Sequence, residues 1–129
     1  MKNIEIAKKY LNAAYSGDIA TAKSLLDENV KLTMNGNNEI SGITNGREPF
    51  FASFGKMLQL TNNTYNLDEQ VEWLEGQERA ILIAKESAIR NDEKFEFSRV
   101  IDYIIKEGII KEIKIYEGDP TIADKAFSK

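Results

Sequence analysis

The sequence has 129 residues, of which 42% are apolar and 29% charged, and its net charge is −4. These proportions exclude general disorder, a collagen-like repeat and a coiled coil, and the length suits one compact domain over residues 1–129. The 17 basic residues are scattered rather than clustered, so no nucleic-acid partner is expected. Cys and His are both absent. That removes disulfides, thiol nucleophiles, thiolate and imidazole metal ligands, and every Ser–His or Asp–His dyad. The opening Met1-Lys2-Asn3-Ile4-Glu5-Ile6 has no apolar signal region, and no apolar run reaches the roughly 20 residues that span a bilayer. A cytoplasmic protein without a membrane partner is expected.

In chain order, Ile4, Ala7, Leu11 and Ala14 recur at helical spacing and predict an amphipathic helix over roughly 3–16, stopped at Gly17. Asp18 can cap a second, short helix carrying Ile19, Ala22, Leu25 and Leu26. Val30, Leu32 and Met34 alternate as in a strand, broken by Asn35-Gly36-Asn37-Asn38. A third helix is expected over roughly 47–58, with Pro49 in its first turn and Phe50, Phe51, Phe54, Met57 and Leu58 on its apolar side. The period then changes to two, giving four strands at about 64–75, 78–90, 94–106 and 109–117. Their short loops make them antiparallel neighbours. Asp119-Pro120 starts a last short helix that runs to about Phe127. The expected class is α+β, with the helices packed on one face of a curved antiparallel sheet.

Hairpin arithmetic sets the faces. A two-residue loop at Asn91-Asp92 or Asp92-Glu93 puts Glu86 and Arg99 on the same face, either directly opposite or diagonal. A turn at Glu107-Gly108 then pairs Arg99 with Tyr116 and Tyr103 with Glu112. One face would carry Ala80, Leu82, Ala84, Glu86, Ala88, Phe97, Arg99, Ile101, Tyr103 and Tyr116. Its alanines leave open volume and mark the cavity side. The other face would carry Ile81, Ile83, Ile89, Val100, Ile104, Ile113 and Ile115, mixed with Lys85, Asp102 and Lys111. Two apolar faces on one sheet predict helices on one side and a second copy of the chain on the other, a homodimer through the outer sheet face.

Three segments carry a resemblance: Tyr10-Leu11-Asn12-Ala13-Ala14-Tyr15-Ser16-Gly17-Asp18, Leu25-Leu26-Asp27-Glu28-Asn29-Val30 and Glu107-Gly108-Ile109-Ile110-Lys111-Glu112. With the order of elements they resemble the nuclear transport factor 2-like (NTF2-like) superfamily, and within it the SnoaL-like and ketosteroid isomerase group. The resemblance implies a cone-shaped α+β half-barrel with N-terminal helices on the concave face of the sheet, and a pocket inside it. Tyr10 matches the tyrosine that donates to the enolate in ketosteroid isomerases, but Met34 stands at the place of their aspartate base. Asp102 lies near the second oxyanion donor, turned outward. Ile101 and Ile115 replace the histidine and aspartate of SnoaL-like cyclases, and the histidine of the dehydratases is missing. The resemblance thus implies a pocket while arguing against each familiar mechanism.

The candidate catalytic residues are Glu86, Arg99 and Tyr10: a carboxylate base held by a guanidinium, with Tyr10 or Tyr103 donating to a substrate oxygen. A structural ion pair is the competing reading of Glu86 and Arg99. The candidate pocket comprises Tyr10, Met34, Phe54, Trp73, Glu86, Arg99, Ile101, Tyr103 and Tyr116. Asp18, Asp27, Glu28 and Asp119 match no calcium-loop spacing, and no P-loop or dinucleotide fingerprint is present, so neither a metal nor a cofactor is expected. The leading expectation is a protein that binds a small apolar molecule. An isomerase, cyclase or dehydratase using Glu86 is the alternative, followed by an assembly module with a vestigial pocket. The sequence leaves open whether the chain is an enzyme.

Overall fold

The computed structural model describes residues 1–129. Helix α1 (Asn3–Ser16) buries Ile6, Ala7, Tyr10, Leu11, Ala13 and Ala14 on one stripe. Gly17 ends it in the left-handed conformation, φ 84°, with the cap N–H donating to Ala13 O. The Asp18 side chain accepts from Thr21 N–H and starts α2 (Ile19–Leu25). Strands β1 (Leu26–Met34) and β2 (Gly42–Asn45) form an antiparallel pair ahead of α3 (Arg47–Leu60). The meander β3 (Asn66–Gly76), β4 (Arg79–Arg90), β5 (Glu93–Lys106) and β6 (Ile109–Glu117) follows, and Asp119 caps a final helix α4 (Pro120–Ala126).

The sheet order is β2-β1-β6-β5-β4-β3. β1 and β6 run parallel, so the sheet is mixed rather than wholly antiparallel as the sequence reading expected. β2 escaped that reading because its four residues are mostly exposed and show no buried alternation. Register shifts in β3, near Asp68 and Val71, are β-bulges, which bend a strand and raise its twist. They belong to the curvature of an unclosed sheet whose concave face holds the helices.

The β4–β5 turn uses Asn91 and Asp92, φ 50° and 63°, the two left-handed positions of a type I′ hairpin. Arg99 is therefore opposite Ala84, and Glu86 opposite Phe97; Glu86 and Arg99 are diagonal neighbours on one face. The β5–β6 turn is at Glu107-Gly108 as expected, but its register holds only for Lys106–Ile109 and Ile105–Ile110. The next pair is Ile104–Glu112, so Lys111 is an inserted residue. That bulge inverts the rest of β6. Arg99 faces Glu117 and Tyr103 faces Ile113, while Tyr116 pairs with Val100 on the convex side and is 48% exposed. The expected pairings Arg99–Tyr116 and Tyr103–Glu112 are corrected accordingly, and Ile113 moves from the outer face into the core.

Two core clusters fill the concave side. The larger joins α1 to Ala80, Leu82 and Ala84 of β4 and to Ile101, Tyr103, Ile105, Ile110 and Ile113. The smaller gathers Met34, Met57, Tyr65, Ala88, Phe97 and Phe127. Ala80, Ala84 and Ala88 are fully buried in these clusters, so the alanines leave no open volume; their small side chains admit close neighbours instead.

Candidate functional site

Arg99 is the hub. Its side chain leaves β5 on the concave face and is 3% exposed, with Glu86 and Glu117 equally buried on either side. Arg99 Nε is 2.7 Å from Glu86 Oε2 and donates to Glu117 Oε1 at 2.7 Å. Tyr65, directly before β3, donates its hydroxyl to Glu86 Oε1 and accepts from Arg99 Nη1 at 3.3 Å. Tyr15 extends the chain, its hydroxyl 3.1 Å from that of Tyr65. The guanidinium also lies over the rings of Tyr65 and Phe127, at 5.6 and 5.9 Å from their centroids. Arg99 Nη2 lies 2.5 Å from Glu117 Oε1, and neither it nor Glu86 Oε2 has a well-angled hydrogen bond in its ion pair, while Glu117 Oε2 is buried with no partner.

The electrostatics follow from burial and from one cation serving two carboxyl groups. Loss of solvent pushes the Glu86 carboxyl up; Arg99 pulls it down and Glu117 pushes it up again, leaving it at about 8. Glu86 is thereby biased toward its protonated form at neutral pH. Burial alone would lower the Arg99 guanidinium, but Glu86 and Glu117 more than reverse this and keep it charged. Desolvation raises the phenols of Tyr10 and Tyr103 far above their ordinary range, so both stay neutral.

A cavity of about 60 Å³ adjoins this cluster between α1, α3 and strands β1, β5 and β6. Of its 15 lining residues 13 are hydrophobic, and Arg99 is the one charged residue among them. Tyr10, Met34, Phe54, Arg99, Ile101 and Tyr103 of the sequence-derived set lie on its wall. Tyr10 and Tyr103 meet edge to face, with ring centroids 6.0 Å apart. Glu86 lies behind Arg99 and is absent from the wall. Trp73 also stands apart, stacked on Tyr103 at 6.1 Å with Lys8 Nζ over its ring. Tyr116 is turned away by the β6 bulge. Asp102 faces outward as expected and pairs with Arg79 at 3.2 Å.

Sequence reasoning missed Glu117, Tyr65, Tyr15 and Phe127 as neighbours of Arg99. No hairpin arithmetic could reveal Glu117 without the Lys111 bulge. Tyr65 follows Asn62 and Asn63, two left-handed residues that read as a plain loop. Nothing in the pattern announces its contact with Glu86, although a tyrosine entering a strand beside an otherwise unexplained inward Glu was a usable signal.

Neither a family model nor a curated protein matches the chain. Solved structures do. A protein of unknown function with a cystatin-like fold from Xanthomonas campestris is 26% identical, with all of both chains covered and a TM-score of 0.93. Bal32a, from a soil-derived mobile gene cassette, is 27% identical over 97% of this chain and 95% of its own, with a TM-score of 0.89. An NTF2-like protein from Burkholderia xenovorans superposes with a TM-score of 0.82 at 18% identity, over 98% of this chain and 95% of that one. The chain has the fold of the NTF2-like superfamily. Within that NTF2-like frame the Arg99 cluster lies on the concave face and the cavity lies between sheet and helices, where the resemblance implied a pocket. No helix of this NTF2-like chain is long and apolar enough to cross a membrane.

Proposed function

We propose that the protein binds a small, uncharged molecule with an apolar body and one oxygen function. The observation that carries this reading is the apolar cavity whose single charged wall residue is Arg99. Ligand sites typically combine apolar walls with a few polar groups that fix orientation. Arg99 Nη2 lies 2.5 Å from Glu117 Oε1 and carries two N–H groups, so the guanidinium keeps an N–H beyond that contact for a guest oxygen. Glu86 and Glu117 flank the same guanidinium, which disfavours an anionic guest and favours a carbonyl or hydroxyl. At about 60 Å³ the cavity is well below the ~150 Å³ that accommodates benzene, so small probes come first. Titration with acetone and 2-butanone is expected to raise the melting temperature saturably, without turnover. A melting temperature that does not respond sinks the reading.

A second reading, an isomerase, cyclase or dehydratase, draws on the raised Glu86 carboxyl. With a proton held to about pH 8, Glu86 suits a general acid better than a base at neutral pH. Because it does not line the cavity, its proton would pass through Tyr65 and Tyr15, the Tyr65 hydroxyl turning from donating to Glu86 to accepting from it and donating to Tyr15 on the wall. Exchange of the α-protons of 2-butanone for deuterium, in which the carbonyl oxygen takes the relayed proton and a solvent base takes the α-proton, followed by NMR, is the check. Exchange abolished by Glu86→Gln supports the enzyme, and no exchange above the buffer rate leaves the binder. The homodimer through the outer sheet face belongs to the same proposal.

A further inference from the structure

Beside the cavity lies an open groove of about 500 Å³, bounded by the end of α1, the start of α2, α3 and the start of β3. Tyr15 and Phe54 line both spaces and form the wall between them, with ring centroids 5.7 Å apart. Tyr15 is 39% exposed toward solvent although its hydroxyl is tied to Tyr65. None of the groove's eleven lining residues is charged, on a chain where 29% of residues are. Gly17 and Gly55 widen it, since a Cβ at either position meets nothing within 4 Å.

We propose that this groove is the mouth of the cavity and the seat of the ligand's tail, so that the guest is an uncharged, unbranched alkyl chain carrying an oxygen at one end. The inference rests on the binding reading above and names its ligand class. The cavity is too small for a ring system but admits a chain end, with the oxygen toward the Arg99 guanidinium on its wall. Rotation of the Tyr15 and Phe54 side chains joins the two spaces. A chain threaded between them leaves its remaining methylenes on Phe51, Leu58, Ile19 and Leu67. The uncharged track offers nothing to a charged tail, and the two carboxyl groups beside Arg99 oppose a fatty-acid head.

The test is calorimetric titration of the full chain with 2-butanone, 2-heptanone, 2-nonanone and 2-undecanone. Affinity is expected to rise about fourfold per methylene once the tail enters the groove, the factor that corresponds to about 0.8 kcal/mol per buried CH₂. Gly55→Leu, which projects a side chain into the groove from the exposed side of α3, is expected to remove that gain and leave 2-butanone binding within about twofold of the wild type. Undecanoate is expected to bind more weakly than 2-undecanone. Affinity independent of chain length, or a gain that survives Gly55→Leu, overturns the groove assignment while 2-butanone binding keeps the cavity reading. Failure of every ketone overturns both.

Discussion

Glu86 links sequence, burial and pH response most directly. Its folded-state carboxyl sits at about 8 against an ordinary 4.5, so the folded chain holds a proton that the unfolded chain releases between these values. The stabilisation is fully present below the unfolded value and is lost as pH rises through the folded one. Within that window the slope is about 1.4 kcal/mol per pH unit for one proton. Denaturant unfolding of wild type and Glu86→Gln from pH 5 to 9 is expected to give curves that lie closest in acid, diverge steadily up to about pH 8 and run parallel beyond it, with the amide variant the more stable at pH 9. Curves parallel over the whole range would show that Glu86 is ionised in the fold. The carboxylates of Asp18 and Asp27 are lowered by their hydrogen bonds, to Thr21 and to Lys111 respectively, and act oppositely as pH falls; they cancel in the difference between the two proteins. Arg99→Met should cost about 3–5 kcal/mol, because it leaves the buried Glu117 without its cation, beside a Glu86 biased toward its neutral form. Adding Glu117→Gln should recover part of that loss, a result that isolates the electrostatic cost from lost packing. That Glu86 and Arg99 share a face was legible in the sequence, because either hairpin loop preserved strand parity. That Glu117 completes the cluster was not, because one inserted residue reverses parity without altering composition or periodicity.

At the scale of elements, the same contrast separates helices from strand register. α1 was legible to its ends because each boundary has a local cause: a 3.6-residue stripe inside it and Gly17 after it. The Glu107-Gly108 turn was legible for the same reason, Gly108 favouring the left-handed geometry, whereas the β4–β5 turn was narrowed only to two loops, of which Asn91-Asp92, two residues that tolerate that geometry, is the one formed. The Lys111 bulge has no such signature, and it decides whether Ile113, Ile115 and Glu117 or Glu112, Lys114 and Tyr116 face the helices. The second set would bury two charged side chains and a phenol in the apolar concavity, so packing selects the bulge. Helix α3 offers a test of local energetics. Gly55 lies mid-helix, and a Cβ there meets nothing within 4 Å. Gly55→Ala is expected to stabilise the protein by about 0.5–1 kcal/mol, through helix propensity and a less flexible unfolded chain. A rise in melting temperature without a change in the denaturant slope is the expected record. Destabilisation would mean that the groove wall is closer to α3 than its open space implies.

For the whole molecule, the convex face poses the remaining physical problem. Leu74, Ile89 and Tyr116 are 46%, 45% and 48% exposed there, and Ile81, Ile83, Val100 and Ile104 are half-buried among them. A contiguous apolar surface on an antiparallel meander is unusual when only water covers it. The charges within it have mixed sign, with Lys85 and Lys114 among Glu112, Asp102 and Glu72, so two copies of the face can meet without like-charge repulsion throughout. Sedimentation velocity at micromolar concentration is expected to give twice the 14.6 kDa chain mass. Tyr116→Glu places a carboxylate at an exposed point of the face, on the side of β6 opposite Ile115 and Glu117, and is expected to shift the dimer toward monomer by about tenfold or more in dissociation constant. Ketone binding by Tyr116→Glu separates the two surfaces. Retained affinity in a monomer places the site wholly within one chain, whereas joint loss of dimer and affinity would mean that the sheet's curvature, and with it the cavity, depends on the partner. A wild-type chain that sediments at its single-chain mass removes the dimer and leaves the convex face exposed.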